Sequence, residues 1–144
     1  MDKRLKTMIA IAQDCNPGIK NFRLVAGVFL KNKLISLGMP QYKTHPIQAK
    51  YTHAPGKKMY IHAEVDALNR ALARIGQDKL SQATLTVARV AFVDDTPTSP
   101  LRIALAKPCR GCMNASITEF GIKEKNILWT EDCFDENHFL IPPY

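Results

Sequence analysis

Apolar residues recur at helical spacing in the stretch that begins MYIHAEVDAL at residue 59. The apolar positions, separated by steps of four and three, are Ile61, Val65, Leu68, Leu72 and Ile75. Residues at these steps share one face of a helix, so the pattern predicts a helix over roughly residues 61–75 that ends near Gly76. One position departs from the pattern, because Glu64 places an acid at the edge of the apolar face, two residues after His62.

Helices and strands are predicted to alternate along the rest of the chain. The first helix ends near Asp14 at the turn cluster CNPGIKN, and a tight hairpin with the sequence KNK joins the next two strands. The predicted strands lie at 23–30, 34–38, 83–93, 101–106 and 126–129. A further helix begins at Pro108 and ends at Gly121. This order favours a three-layer α/β/α sandwich, in which helices cover both faces of a mixed central sheet.

Two segments need a separate description. Residues 39–58 contain three prolines and four lysines and are predicted to form a polar loop, which at this length is usually functional or mobile. The helix after Pro108 is predicted to present one face made of Cys109, Met113, Ser116, Ile117 and Phe120. The functional candidates therefore lie in a long loop and at two predicted helix starts.

With 144 residues, 46% of them hydrophobic, the chain is long enough to form a single domain, 1–144, with a hydrophobic core. No apolar run approaches the roughly 20 residues that span a bilayer, so no membrane partner is expected. The basic and then apolar start has no small-residue cleavage site and fits an amphipathic helix better than a signal peptide. We therefore expect a cytoplasmic protein.

Cys109 and Cys112 form a CxxC pair in the first turn of a predicted helix. Their sulfur atoms lie close together at this spacing, and the unpaired N–H groups of a helix N-terminus favour the thiolate form. In a cytosolic chain such a pair more often binds a metal or acts in redox chemistry than forms a structural disulfide. His62 supplies a third ligand for zinc if the two helix starts face each other, which leaves the fourth position for water. Glu64 would then move protons between that water and a substrate.

Two short motifs together resemble the signature of the zinc-dependent cytidine/deoxycytidylate deaminase superfamily, and each opens a predicted helix. The motifs are His62-Ala63-Glu64 and Pro108-Cys109-x-x-Cys112. The resemblance extends from the first helix through NILW at 126–129, and it implies a cytidine deaminase-like fold that usually forms a homo-oligomer. The implied reaction is the attack of an activated water on C4 of cytosine or C6 of adenine, with loss of ammonia. We favour a free cytosine nucleotide or nucleoside as the substrate, with dCMP as the first choice.

The resemblance also implies a role for individual residues. It implies that His62, Cys109 and Cys112 hold Zn²⁺ and that Glu64 is the catalytic proton shuttle. It further implies that the backbone N–H groups of Ala63 and Cys109 help to orient the reacting atoms. These five residues are the predicted metal and catalytic site.

Two departures from the family pattern affect the contacts to a substrate. The segment 65–107 between the motifs is longer than in compact members, and its extra length is predicted to form a hairpin around VDDTPTSP. Family members often carry an asparagine just after the second strand, where this chain has Met39-Pro40-Gln41. The candidate substrate-binding residues are Asn21, Lys43, His45 and Arg110.

Other interpretations remain open. A structural zinc site needs a fourth ligand, for which His45, His53 or Cys133 is available, and it leaves Glu64 unexplained. A thioredoxin-like role for the CxxC pair explains neither the histidine nor the acid. The net charge of +7 fits a nucleic-acid substrate, either single-stranded DNA or tRNA, and it equally fits solubility alone. A non-catalytic, zinc-stabilised binding module would keep the same fold.

Overall fold

The computed structural model describes residues 1–14, 23–52, 60–94 and 99–140. In these parts of the chain the strands are β1 (Arg23–Leu30), β2 (Lys33–Gly38), β3 (Thr84–Phe92), β4 (Leu101–Ala104) and β5 (Ile127–Trp129). The α-helices are α1 (Lys3–Asp14), α2 (Pro46–Thr52), α3 (Ala63–Leu80) and α4 (Arg110–Asn114). A π-helical turn, Ala115–Glu119, continues α4.

The five strands form one mixed sheet with the order β2-β1-β3-β4, and β5 also pairs with β3. Lys31, with a φ of 59°, lies in the two-residue turn between β1 and β2, as the KNK hairpin predicts. Residues 89–92 of β3 pair antiparallel with β4, and residues 85–87 pair parallel with β5. Because β1 occupies the other edge of β3, β4 and β5 follow one another along the same edge.

Alternate residues of β1 and β3 point to opposite faces of the sheet. Both sets are apolar, and helices pack against each of them. α1 contributes to a buried cluster on one face that consists of Met8, Ile9, Ala12, Val25, Phe29, Ala88, Val90 and Leu101. α3 and α4 contribute to the cluster on the other face, which includes Ala26, Val28, Val65, Leu68, Leu85, Val87 and Cys112. The predicted α/β class is therefore confirmed. Among the described helices, none has the length and apolar character that crossing a membrane requires.

The first half of the apolar face predicted for α3 is buried, and the helix is interrupted at Gly76, where the sequence predicts its end. Ile61, Val65 and Leu68 are at most 1% exposed. Gly76 leaves the helical conformation, with φ 79° and ψ 166°, so the predicted end is confirmed, and a second short helical stretch follows it to Leu80. Leu80 is fully buried in the same core, and its packing stabilises this second stretch.

Helix α2 lies within residues 39–58, so the prediction of a continuous loop is wrong there. Pro46 occupies the first helical position, where its missing N–H costs nothing. Nδ1 of His45 accepts a hydrogen bond from the N–H of Ile47 at 3.2 Å and satisfies one free donor of the first turn. Ile47 and Tyr51 are partly buried against the α3 side of the core. A helix of seven residues offers too few positions for its apolar spacing to outweigh three prolines in the sequence.

The face predicted for the helix after the CxxC pair is only partly correct. The N–H of Phe120 donates to the carbonyl of Ala115, five residues earlier, at 3.1 Å. A π-turn of this kind holds more residues than an α-helical turn, so later side chains rotate away from the positions that α-helical spacing predicts. Ser116 and Phe120 are buried as expected, whereas Ile117 is 37% exposed.

The connection between β3 and β4 is the hairpin that VDDTPTSP predicts. The N–H of Val93 donates to the carbonyl of Pro100 at 3.0 Å, and residues 95–98 lie outside the described residues. β4 ends at Ala104, two residues earlier than predicted. Near the C-terminal end, Leu101 and Leu140 exchange two backbone hydrogen bonds of 2.7 and 3.0 Å. The tail therefore adds a short segment to the edge of the sheet.

The substitution Gly38→Ala is expected to lower the free energy of unfolding by about 2–3 kcal/mol, a typical cost of overpacking. A Cβ at Gly38 would collide with the carbonyl oxygen of Ala63 and the amide nitrogen of Ala67, and backbone atoms cannot move aside as a flexible side chain can. Gly76→Ala is the matched control. Among the described residues, no atom outside its own chain neighbours and helix backbone lies within 4 Å of its Cβ position, so only the strain of a positive φ remains, about 1 kcal/mol. Urea unfolding of both variants measures the difference, and equal losses would contradict the close packing of β2 on α3.

Candidate metal centre

Three side chains from two helix starts meet at one point. His62 directly precedes the first residue of α3, and Cys109 directly precedes the first residue of α4. Together with Cys112 they bring one ligand atom each to within 4.8 Å of one another. The sequence prediction that the two helix starts face each other with these three side chains is therefore confirmed.

The contacts within this cluster are short. Nδ1 of His62 lies 3.1 Å from Sγ of Cys112 and 3.8 Å from Sγ of Cys109. The backbone N–H of Cys112 donates to Sγ of Cys109 at 3.4 Å, so Cys109 caps its own helix. Cys112 is fully buried, His62 is half-buried and Cys109 is exposed. The cluster thus has a closed side at Cys112 and a solvent-facing side at Cys109.

The charge on the two cysteines is unequal. The pKa of Cys109 is lowered to about 4, mainly by a hydrogen bond from the Cys112 thiol and secondly by one from His62. The pKa of Cys112 is raised above its usual value, mainly by the same hydrogen bond with Cys109 and secondly by burial. The contact with Cys109 also raises the pKa of His62. One thiolate is therefore present before a metal binds, and binding of a cation releases the proton of the second thiol.

Glu64, the second residue of α3, lies beside the cluster and is only 4% exposed. Among the described residues its Oε1 atom has no hydrogen-bond partner. Burial raises the pKa of this carboxyl. A buried polar atom without a partner is rare, since its desolvation costs about 1–3 kcal/mol. An unpaired carboxylate oxygen next to three ligand atoms points to a bound molecule as its partner.

The residues fit a zinc ion. Two sulfur atoms and one imidazole nitrogen are the donor set that zinc prefers, and three protein ligands leave one position open. Among the described residues no fourth side chain joins the cluster, so neither His45 nor Cys133 acts as an additional ligand there. His53 lies outside the described residues. The geometry is compatible with zinc, although the same donors also suit other thiophilic metals.

Three of the candidate substrate-binding residues, Lys43, His45 and Arg110, lie in the described part of the chain. His45 holds the start of α2 through its ring nitrogen, while the side chains of Lys43 and Arg110 are exposed. The backbone carbonyl of Lys43 accepts from the N–H of Ile61 at 2.8 Å, which fixes this strand-like stretch beside the His62 motif. Asn21 lies outside the described residues. Their proposed contacts to a substrate stay predictions.

A buried aspartate that the sequence reasoning did not single out ties this stretch to α3. Oδ2 of Asp66 accepts from the N–H of Met39 at 3.2 Å and from the side-chain amide of Gln41 at 3.1 Å. Its Oδ1 accepts from Arg70 at 3.1 Å. Met39 and Gln41 therefore bind the helix that carries Glu64. The signal in the sequence was weak, because Asp66 reads as an ordinary acid in the first turn of a helix.

Gln48 is the second residue that the sequence reasoning missed. It is fully buried in α2, and its side chain reaches both His62 and Cys112. The only signal was its spacing of four from Thr52, which is meaningful once a helix is assumed there. No family model, curated protein or solved structure matches the chain, so the interpretation of the site depends on this geometry.

Proposed function

We propose that the chain is a zinc-dependent hydrolytic deaminase that converts a cytosine nucleotide or nucleoside to the uracil product and ammonia, with dCMP as the favoured substrate. The observation that carries this proposal is the unpaired, buried Oε1 of Glu64 beside His62, Cys109 and Cys112. A structural zinc site has no use for such a carboxyl group, whereas hydrolysis needs a proton acceptor at this place. The proposal includes a three-layer, cytidine deaminase-like fold.

Each residue has a defined task in the proposed reaction. His62, Cys109 and Cys112 hold the zinc ion, which supplies Lewis acidity and lowers the pKa of water to near neutrality. Oε1 of Glu64 accepts a proton from the attacking water and delivers it to the ring nitrogen N3 as the water oxygen adds to C4. Glu64 then carries the second proton of that water to the departing amine, so that one water is consumed and one ammonia is released. The N–H groups of Ala63 and Cys109 orient the reacting atoms.

The environment of Glu64 suits this task. The side chain is buried in the first turn of a helix whose neighbouring residues Val65 and Leu68 are fully buried, which restricts the movement of the carboxyl group between the two proton transfers. Its Oε1 makes no competing hydrogen bond among the described residues. A raised pKa makes the carboxylate of Glu64 a stronger proton acceptor than an exposed one, and it brings the group closer to the balance between uptake and release that a proton shuttle needs near neutral pH.

The first test is a substrate panel with the zinc-loaded protein. Ammonia release is followed with dCMP, cytidine, dCTP, adenosine, guanine and a short cytosine-containing single strand. We expect the fastest release with dCMP. The proposal would be contradicted by a protein that binds one zinc per chain, turns over no substrate and shows a fourth protein ligand in its zinc X-ray absorption spectrum. That result would favour the structural site.

A nucleic-acid substrate is the second candidate, because the chain carries a net charge of +7. The dependence of binding on salt concentration distinguishes a free nucleotide from a polynucleotide as the substrate. Raising NaCl from about 50 to about 200 mM weakens binding of a protein with 6–10 phosphate contacts by about 10³–10⁵-fold, but a single phosphate contact changes it by less than about fivefold. We expect the smaller change in kcat/KM. The steep loss would identify a polynucleotide as the substrate.

The proposal further takes the protein to be a cytoplasmic homo-oligomer.

A further inference from the structure

We propose that Gln48 is a positioning residue of the metal centre, whose side-chain amide holds His62 and Cys112 together through two hydrogen bonds. Its oxygen accepts from the backbone N–H of His62 at 2.9 Å, and its nitrogen donates to Sγ of Cys112 at 3.5 Å. The two ligands come from separate motifs 50 residues apart in the chain. The inference builds on the proposed function in that it takes zinc as the metal.

The orientation of this amide follows from its partners. A backbone N–H can only donate, so the atom that faces His62 must be the oxygen, Oε1. Nε2 then points to Sγ of Cys112 and to Oγ1 of Thr52, which lies at 3.1 Å. The hydroxyl of Thr52 donates to the backbone carbonyl of Gln48 at 2.7 Å, and it is therefore free to accept from Nε2. A flipped amide would place two donors against His62 and lose both of the other bonds.

The helix that carries Gln48 is locked onto the CxxC turn. A Cβ at Gly111, between the two cysteines, would collide with the side chain of Thr52 and come within 2.6 Å of the carbonyl oxygen of Tyr51. The hydroxyl of Tyr51 donates to Oε2 of Glu119 at 3.1 Å, at the far end of the π-turn. α2 thus contacts the first turn of α4 at Gly111 and the end of the π-turn at Glu119. Gln48 is therefore held at a fixed distance from Cys112.

The hydrogen bond that Gln48 donates to Cys112 stabilises negative charge on the sulfur. Cys112 is fully buried, and a buried thiolate without hydrogen bonds is costly. Two thiolates already neutralise Zn²⁺, and Glu64 adds a negative charge nearby. The N–H dipole of Gln48 offsets part of that charge at the sulfur that solvent does not reach. Loss of such an outer hydrogen bond typically weakens metal binding by about 10–100-fold.

The experiment compares zinc affinity in the full chain by competition with a chromophoric chelator. Gln48→Leu keeps the volume and removes both hydrogen bonds, so we expect about 10–100-fold weaker zinc binding. In the cobalt-loaded variant we expect a shift of the sulfur-to-metal charge-transfer band. Gln82→Leu, an exposed glutamine at the end of α3, is the control and should match the unmodified protein.

Every outcome decides the inference. A folded Gln48→Leu with zinc affinity within twofold of the unmodified protein overturns it. If Gln48→Leu does not fold, Thr52→Val decides, because it removes the anchor of the amide and keeps the volume. A loss of threefold or more in affinity supports the inference and an unchanged affinity overturns it. These readouts need no turnover, so a protein whose zinc affinity depends on Gln48 but that deaminates nothing would refute the deaminase proposal alone.

Discussion

Glu64→Gln is expected to lower the rate of dCMP deamination by about 10³-fold or more while zinc still binds at one ion per chain. Glutamine has the same shape as glutamate but cannot accept the proton of the attacking water, and general acid–base catalysis contributes about 10²–10⁴-fold. Both proton transfers of the proposed reaction use this side chain, which places the expected loss at the upper end of the range. The three proposed ligands, His62, Cys109 and Cys112, are unchanged, so the metal stays.

The assay combines three measurements on the same preparation: initial rates of ammonia release, zinc content and the melting temperature. Glu124→Gln is the matched control, because Glu124 is exposed in a short turn before β5 and should leave all three unchanged. A purely structural role for Glu64 would instead show as a lower melting temperature with proportionate loss of activity. Retention of more than a tenth of the rate in the variant would sink the assignment of Glu64 as the proton shuttle.

Removal of the metal is expected to lower the melting temperature by about 10 °C or more. The ligands come from the starts of α3 and α4, so zinc joins two elements that the unfolded chain does not hold together. A ligand at about 1,000 times its Kd stabilises the native state by about 4 kcal/mol. For a domain of this size each kcal/mol corresponds to roughly 3–4 °C. Scanning calorimetry with and without a chelator measures the shift.

Two cysteine variants make this prediction specific. Cys112→Ala removes a proposed ligand, so the chelator should no longer change its melting temperature. Cys133→Ala is the matched control, since Cys133 is partly buried and lies outside the cluster. It should keep the full shift. A wild-type chain that holds zinc yet melts at the same temperature after chelation would show that the metal does not join the two helices in the native state.

Long segments with a clear pattern could be predicted from the sequence. β1 and β3 are rich in apolar and β-branched residues and pair along almost their whole length, so the local signal and the tertiary packing agree. The metal cluster was predictable for a different reason. Its residue types are rare in that spacing, and a helix start is a favourable place for a thiolate.

The parts that could not be predicted depend on contacts between distant residues. α2 is too short to show a period, and its stability comes from packing on Gly111 and from the hydrogen bonds of Gln48. A short helical stretch follows the interruption of α3 at Gly76, and it is stabilised by the burial of Leu80. No local rule indicates either outcome. The same holds for the pairing of Asp66 with Met39 and Gln41.

The π-turn after the CxxC pair has a consequence for how this chain is compared with others. Between Cys112 and Phe120 it accommodates one residue more than a regular α-helix that joins the same two points. A chain with a regular helix at this place would therefore reach the equivalents of Cys112 and Phe120 with one residue fewer between them. A correct alignment needs a one-residue gap inside the helix, near Ala115, where gaps are normally penalised. Without that gap, every residue from Ala115 to Phe120 is matched to a neighbour of its true counterpart.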